Sequence, residues 1–166
     1  MDSIKTVLSM LLLSVGLMFS AASIAIEKGQ TAPNFRLPLL DSQKKVSLKQ
    51  YRGKVVYVDF WASWCGPCRQ SLPLLTKLRA EMKKQPFEVL AINLDEEVDA
   101  AKGFLKQYPV NYPVLLDPEG NVAAQYQLPG MPTSFIVDKR GRIKHVHVGF
   151  KPQDIDKIRQ QVKSLL

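Results

Sequence analysis

The chain has 166 residues, 46% hydrophobic and 23% charged, with 23 Lys and Arg against 15 Asp and Glu for a net charge of +8. That length fits one ordinary domain, and that composition can bury a core, which excludes disordered and fibrous classes. A basic surplus suits an acidic partner, a membrane surface or nucleic acid. The bases are scattered among acids, however, with no stripe of bases interleaved with aromatics, so nucleic-acid binding is not expected.

The first stretch reads differently from the rest. No residue between Lys5 and Glu27 is charged, and the 21 positions from Thr6 to Ile26 are mostly Leu, Val, Ile, Met, Ala and Ser. Lys5 supplies a positive n-region, Val7–Phe19 an apolar h-region, and Ser20-Ala21-Ala22 and Ser23-Ile24-Ala25 each offer small residues for a signal peptidase. Residues 1–25 are expected to be a signal peptide and 26–166 the mature domain. The alternative is an uncleaved anchor over residues 6–26, long enough for a bilayer core of about 30 Å. Both place the domain outside the cytosol, in the periplasm or an equivalent compartment, where cysteines oxidise.

Gly29 to Phe35 is a Pro- and Gly-marked lead-in, followed by a short hairpin through Asp41 to Leu48. Val55–Trp61 is β-rich and almost continuously apolar, as a strand covered on both faces should be. A helix is predicted from near Pro67 to Lys84, with Leu72, Leu75, Leu78 and Met82 on one face, and Phe87–Leu94 is a second buried strand. This β–α–β unit implies parallel strands. Glu96–Gln107 reads as a helix, Val114–Leu116 as a short strand, Asp117–Gly120 as a turn and Asn121–Tyr126 as a short helix. Ser134–Val137 and Ile143–Val148 form a hairpin around Asp138–Gly141, and a last helix carries Ile155, Ile158, Val162 and Leu165.

Both cysteines fall in one motif, Trp64-Cys65-Gly66-Pro67-Cys68, at the junction of strand and helix. A chain exported with a single C-x-x-C pair keeps its cysteines for chemistry. Cys65 precedes the first helical turn, where unpaired N–H groups and the helix dipole favour a thiolate and draw its pKa from about 8.5 toward roughly 7. Cys68, one turn on, is shielded yet close enough to attack a mixed disulfide on Cys65. Half a zinc site is the competing reading, since His145 and His147 share a strand face and would complete a Cys₂His₂ set. Their spacing is unlike the usual pattern, and a C-x-x-C opening a helix after a buried strand is the redox context. Arg69 stands where covalent haem attachment needs histidine.

Phe60-Trp61-Ala62-Ser63-Trp64-Cys65-Gly66-Pro67-Cys68 resembles the thioredoxin active site, and Gly130-Met131-Pro132-Thr133-Ser134-Phe135-Ile136-Val137-Asp138 resembles the segment that carries that superfamily's cis-proline. The lead-in from Gly29 to Leu40, Tyr51-Arg52-Gly53-Lys54 and the extra helix between Leu94 and Val114 resemble the exported TlpA-like branch, which contains disulfide reductants of the cell envelope. The resemblance implies an α/β thioredoxin fold: a central mixed sheet with helices on both faces, an N-terminal hairpin and an extra central helix. It implies a thiol–disulfide oxidoreductase whose redox group is the Cys65–Cys68 disulfide, with no other cofactor and no metal.

Carried over by position, Cys65 is the nucleophile, Cys68 the resolving thiol, Pro132 the cis-proline and Asp59 the buried proton acceptor, while Trp64, Gly66, Pro67, Met131 and Thr133 form the substrate-binding rim. Pro73 matches the helix-kinking proline. Ala91 replaces the lysine that thioredoxin pairs with its buried acid, which implies a less easily ionised Asp59, and Ser71 replaces a glutamate common in the TlpA-like motif. Trp61 is expected in the core. Gly66-Pro67 resembles the dipeptide of reducing thioredoxins, so a potential nearer about −270 mV than about −120 mV is expected. The implied partners are protein substrates and a membrane thiol carrier that supplies electrons. Two other readings remain at this level: a metal- or partner-binding protein on the same scaffold, and a peroxiredoxin-like peroxidase, whose chemistry wants Thr at position 62, where Ala stands.

Overall fold

A computed structural model describes residues 28–166. The expected export segment and its cleavage sites lie outside the described residues. The hairpin strands β1 (Arg36–Leu39) and β2 (Ser42–Ser47) come first, then a single 3₁₀ turn (Leu48–Tyr51) entered through a Ser47–Gln50 capping box. β3 (Val55–Trp61), helix α1 (Cys68–Glu81), β4 (Phe87–Asn93), α2 (Val98–Gln107) and β5 (Val114–Leu116) follow. The chain closes with α3 (Asn121–Gln125), β6 (Thr133–Val137), β7 (Ile143–Val148) and α4 (Asp154–Lys163).

The strands form one mixed sheet in the order β2-β1-β5-β4-β3-β6-β7. β3 pairs parallel with β4 and antiparallel with β6, and β4 pairs parallel with β5. Every residue of β3 and β4 is buried, as their apolar runs require of central strands. Alternation along β3 divides the core. Val55, Tyr57 and Trp61 face a layer that includes Leu72, Leu75 and Leu78 of α1, Phe104 of α2 and Ile158 of α4. Val56, Val58 and Phe60 face the other way, onto Phe35, Leu48, Val122 and Tyr126. The fold is the thioredoxin-like α/β architecture, with helical cover on both faces.

Two helix limits differ from the sequence reading by two residues or more, and α3 ends one residue early, at Gln125. α1 stops at Glu81 rather than Lys84, because Pro86 biases the residues before it away from helical backbone and Met82 already closes the last turn. α2 starts at Val98 rather than Glu96, because Leu94 N–H bonds to the Trp61 carbonyl (3.0 Å) and holds the chain extended there. The β6–β7 hairpin turns where expected, and Gly141 takes φ 77° there, a left-handed backbone that glycine adopts without steric cost. The outer edge of β7 is capped at one end by the lead-in, through the Thr31–Arg142 bridge and bonds from Gly29 and Ala32 N–H to the Ile143 and Gly141 carbonyls (2.7 and 3.0 Å).

Candidate active site

β3 ends at Trp61 and α1 begins at Cys68, and the six residues between them turn the chain from sheet to helix. Cys65 N–H donates to the Ala62 carbonyl (3.1 Å), closing a four-residue turn, and Cys68 N–H donates to the Cys65 carbonyl (3.2 Å). These two turns bring the cysteine Cα atoms to 5.4 Å, and the sulfurs are joined in a disulfide. Pro67 occupies the N-cap, where a missing N–H costs nothing. Cys65 is only 2% exposed and Cys68 is fully buried, while Trp64 between β3 and the disulfide is 65% exposed.

The helix start is more occupied than its sequence suggests. Arg69 and Gln70 N–H are taken by the Gly66 and Pro67 carbonyls, so Trp64 and Gly66 carry the unpaired N–H groups beside Cys65 among the described residues. Stabilisation of a Cys65 thiolate therefore rests on the aligned dipole of the 14-residue α1 and on these N–H groups. Ser71 is buried, and its hydroxyl turns back to the Cys68 carbonyl (3.4 Å).

Asp59 lies in β3 on the face that looks toward the cysteines, two residues before Trp61, and is 1% exposed. Its register partner in β4 is Ala91, and its Oδ2 has no hydrogen-bond partner among the described residues. Burial without a compensating cation pushes its carboxyl up to about 8. Burial, with the Asp59 carboxyl adding to it, also holds the Tyr57 and Tyr112 phenols well above their ordinary range. Tyr57 hydroxyl is spent on Ser134 Oγ (2.6 Å) and Tyr112 hydroxyl on the Leu72 carbonyl (3.1 Å).

The Met131–Pro132 bond is cis. Pro132 is buried and its carbonyl accepts from Gly149 N–H (2.8 Å), whereas the backbone N–H and C=O of Met131 have no partner among the described residues. Thr133 is fully buried and its hydroxyl donates to the Gly130 carbonyl (2.7 Å). The Thr133 side chain thus braces the loop from inside. Gly66, Pro67 and Trp64 are exposed, and Met131 is half-buried against the core layer that contains both cysteines. Beside Met131, Leu94, Ala123, Gln127 and Leu128 line a mainly apolar hollow of about 370 Å³.

His145 and His147 sit on β7, in a surface hollow with Lys28, Lys144, Lys157 and Gln161 in which neither cysteine takes part. His147 Nε2 is bonded to Gln161 Oε1 (2.8 Å), and burial followed by the neighbouring lysines lowers both imidazoles. The two histidines and two cysteines of the zinc reading are not brought together. Trp61 is in the core as expected, its ring tilted against that of Phe104 with centroids 5.2 Å apart. Sequence reasoning missed Ser63, Asn93 and Asp95. Both oxygens of buried Asp95 accept from the active-site loop, and the signal was the polar Asn93 and Asp95 where the apolar run Val89–Ile92 ends.

Comparison with known proteins agrees with this geometry. The Redoxin family matches residues 27–162, and the chain belongs to it. Thiol-disulfide oxidoreductase ResA of Bacillus thuringiensis subsp. konkukian is 38% identical over 118 residues, 71% of this chain and 68% of the relative. A crystal structure assigned as the thiol:disulfide interchange protein DsbE of Chlorobium tepidum superposes with a TM-score of 0.81 at 43% identity, over 85% of this chain and 99% of that one. The exposed lipoprotein thioredoxin Etrx1 of Streptococcus pneumoniae gives 0.68 at 35% identity, over 80% and 100%. The protein is a thioredoxin-fold thiol–disulfide oxidoreductase working through the Cys65–Cys68 disulfide.

Proposed function

We propose that this oxidoreductase works outside the cytosol as a reductant of disulfides in protein substrates. The observation that carries the reading is the Cys-Gly-Pro-Cys disulfide at the start of α1, with no histidine between its cysteines to stabilise a Cys65 thiolate. A less stabilised thiolate makes the dithiol a better electron donor. Cys65 attacks a substrate disulfide to give a mixed disulfide, and Cys68 resolves it. In this reading Asp59, a buried acid that stays neutral up to about pH 8, exchanges a proton with Cys68 as that thiol is activated.

An extended substrate segment pairs with the unpartnered backbone of Met131, the position Pro132 holds open, while Trp64, Gly66 and Pro67 form the opposite rim. A protein that donates electrons in an oxidising compartment needs resupply, and a membrane thiol carrier is the partner that fits. Export rests on the apolar segment 6–26, outside the described residues, and on a relative described as an exposed lipoprotein. Among the described residues no helix is long and apolar enough to cross a membrane.

The test is substrate trapping with Cys68→Ser expressed as the full chain. Exported proteins joined to Cys65 by mixed disulfides, identified by mass spectrometry and released by reductant, are expected. Capture confined to small thiols would overturn the reading that proteins are the substrates.

A further inference from the structure

Asp95 takes no part in the exchange steps above, yet it is 4% exposed and commits both carboxylate oxygens to the segment carrying Cys65. Its Oδ1 accepts from the Ser63 hydroxyl (2.7 Å) and N–H (3.2 Å), and its Oδ2 accepts from the same N–H (2.9 Å) and from Asn93 Nδ2 (2.7 Å). Asn93, fully buried, fixes the carboxylate further by accepting from Asp95 N–H (3.1 Å). Ser63 is the second residue of the Ala62–Cys65 turn. The turn that presents the first cysteine is therefore clamped to the end of β4, a different strand from the one it extends.

In the oxidised protein the disulfide itself fixes the two sulfurs. On reduction that tie is lost, and the turn bond, the Cys68 N–H bond and the Asp95 clamp are what hold Cys65 near Cys68. Holding two reacting groups in place raises their effective concentration. We propose that Asp95 is a positioning residue: it keeps reduced Cys65 within reach of Cys68, speeding release of the mixed disulfide and making the dithiol a stronger reductant. The proposal rests on the reading of Cys65 as nucleophile and Cys68 as resolving thiol.

In the step concerned, the Cys68 thiolate attacks the Cys65 sulfur of the mixed disulfide. The Cys65–Cys68 bond forms, the bond from Cys65 to the substrate sulfur breaks, and two electrons leave with the substrate thiolate, which takes a proton from solvent. Ordering the open pair favours closure of that bond, so the clamp shifts the couple toward the disulfide and lowers its potential.

The experiment equilibrates the full-length parent, Asp95→Ala, Asp95→Asn and Ser63→Ala with glutathione redox buffers and times release of glutathione from the mixed disulfide. Asp95→Ala is expected to move the equilibrium about tenfold toward the dithiol, about 30 mV for a two-electron couple, and to slow release by a similar factor. Attack on glutathione disulfide in a Cys68→Ser background should change less than about twofold, because that step needs only one thiol. Asp95→Asn, whose amide oxygen still accepts from Ser63 N–H, should recover part of the loss, and Ser63→Ala should shift less in the same direction.

A folded Asp95→Ala with the parent's potential and release rate overturns the proposal, as does an equal loss in the attack step. If Asp95→Ala does not fold, Ser63→Ala decides, and an unshifted equilibrium there overturns it. Failure of the underlying reading shows separately, because Cys68→Ser alone would then accumulate no glutathione on Cys65.

Discussion

Asp59 and Ala91 stand opposite each other in the parallel ladder of β3 and β4, so the strand next to the buried acid offers it a methyl group and no cation. This pairing sets a pH dependence. The Asp59 carboxyl is raised from 3.8 to about 8 in the folded protein, so between those values the folded state holds a proton that the unfolded state has lost. Stability from this group therefore falls as pH rises from about 4 to about 8, by at most about 1.4 kcal/mol per pH unit, and is level outside that window. Asp59→Asn should remove the slope, matching the parent near pH 4 and exceeding it at pH 8. Denaturant unfolding across the range checks this, and parallel curves for the two proteins would contradict it.

The two thiols of the reduced protein should alkylate at unequal rates, Cys65 first, because Cys68 is enclosed by the first turn of α1. Cys65→Ser should abolish disulfide exchange, and Cys68→Ser should retain the first attack. Timed alkylation with peptide mass analysis reads both, and equal rates would reverse the assignment of roles.

Trp64 is a large apolar side chain in solvent beside the disulfide, and its loss removes little packing. Trp64→Ala should leave stability within about 0.5 kcal/mol of the parent and raise KM for a protein disulfide several-fold, with the potential unchanged. A shift in potential would mean that Trp64 acts on the sulfurs rather than on the substrate.

In growing cells the cysteine pair should be mainly reduced, with a potential nearer about −270 mV than about −120 mV. Acid-quenched alkylation reports the first and glutathione equilibration the second. A mainly oxidised pair with a potential above about −150 mV would make the protein an oxidant.

The sheet and its helices were legible in sequence because each central strand is an apolar run and each long helix has an apolar stripe. The disulfide was legible because two cysteines three apart admit few roles, and the Met131–Pro132 segment because it resembles a known loop. The hidden features depend on residues distant in sequence meeting in space. Nothing local in Asp95 says that it reaches Ser63, 32 positions earlier. Nor does Thr133 announce that its hydroxyl turns inward to Gly130, since a threonine next to a proline reads equally well as a surface contact. The occupancy of the N–H groups at the start of α1 was hidden for a different, local reason: Arg69 and Gln70 bond three residues back, to the Gly66 and Pro67 carbonyls, and residue types alone do not announce that tightened first turn.

The lead-in stitched to Gly141, Arg142 and Ile143 has a geometric outcome for how this enzyme meets its clients. Along β7 the Thr31–Arg142 bridge lies beyond Ile143, whereas Val148 at the other end pairs with Thr133 beside the cis-proline loop. Six strand residues, roughly 20 Å, separate the two poles. Any tether in the segment before Gly29 thus pulls on one pole while the dithiol occupies the other. A domain moored this way points its reactive end outward, free to sweep for partners instead of being pressed against the surface that holds it.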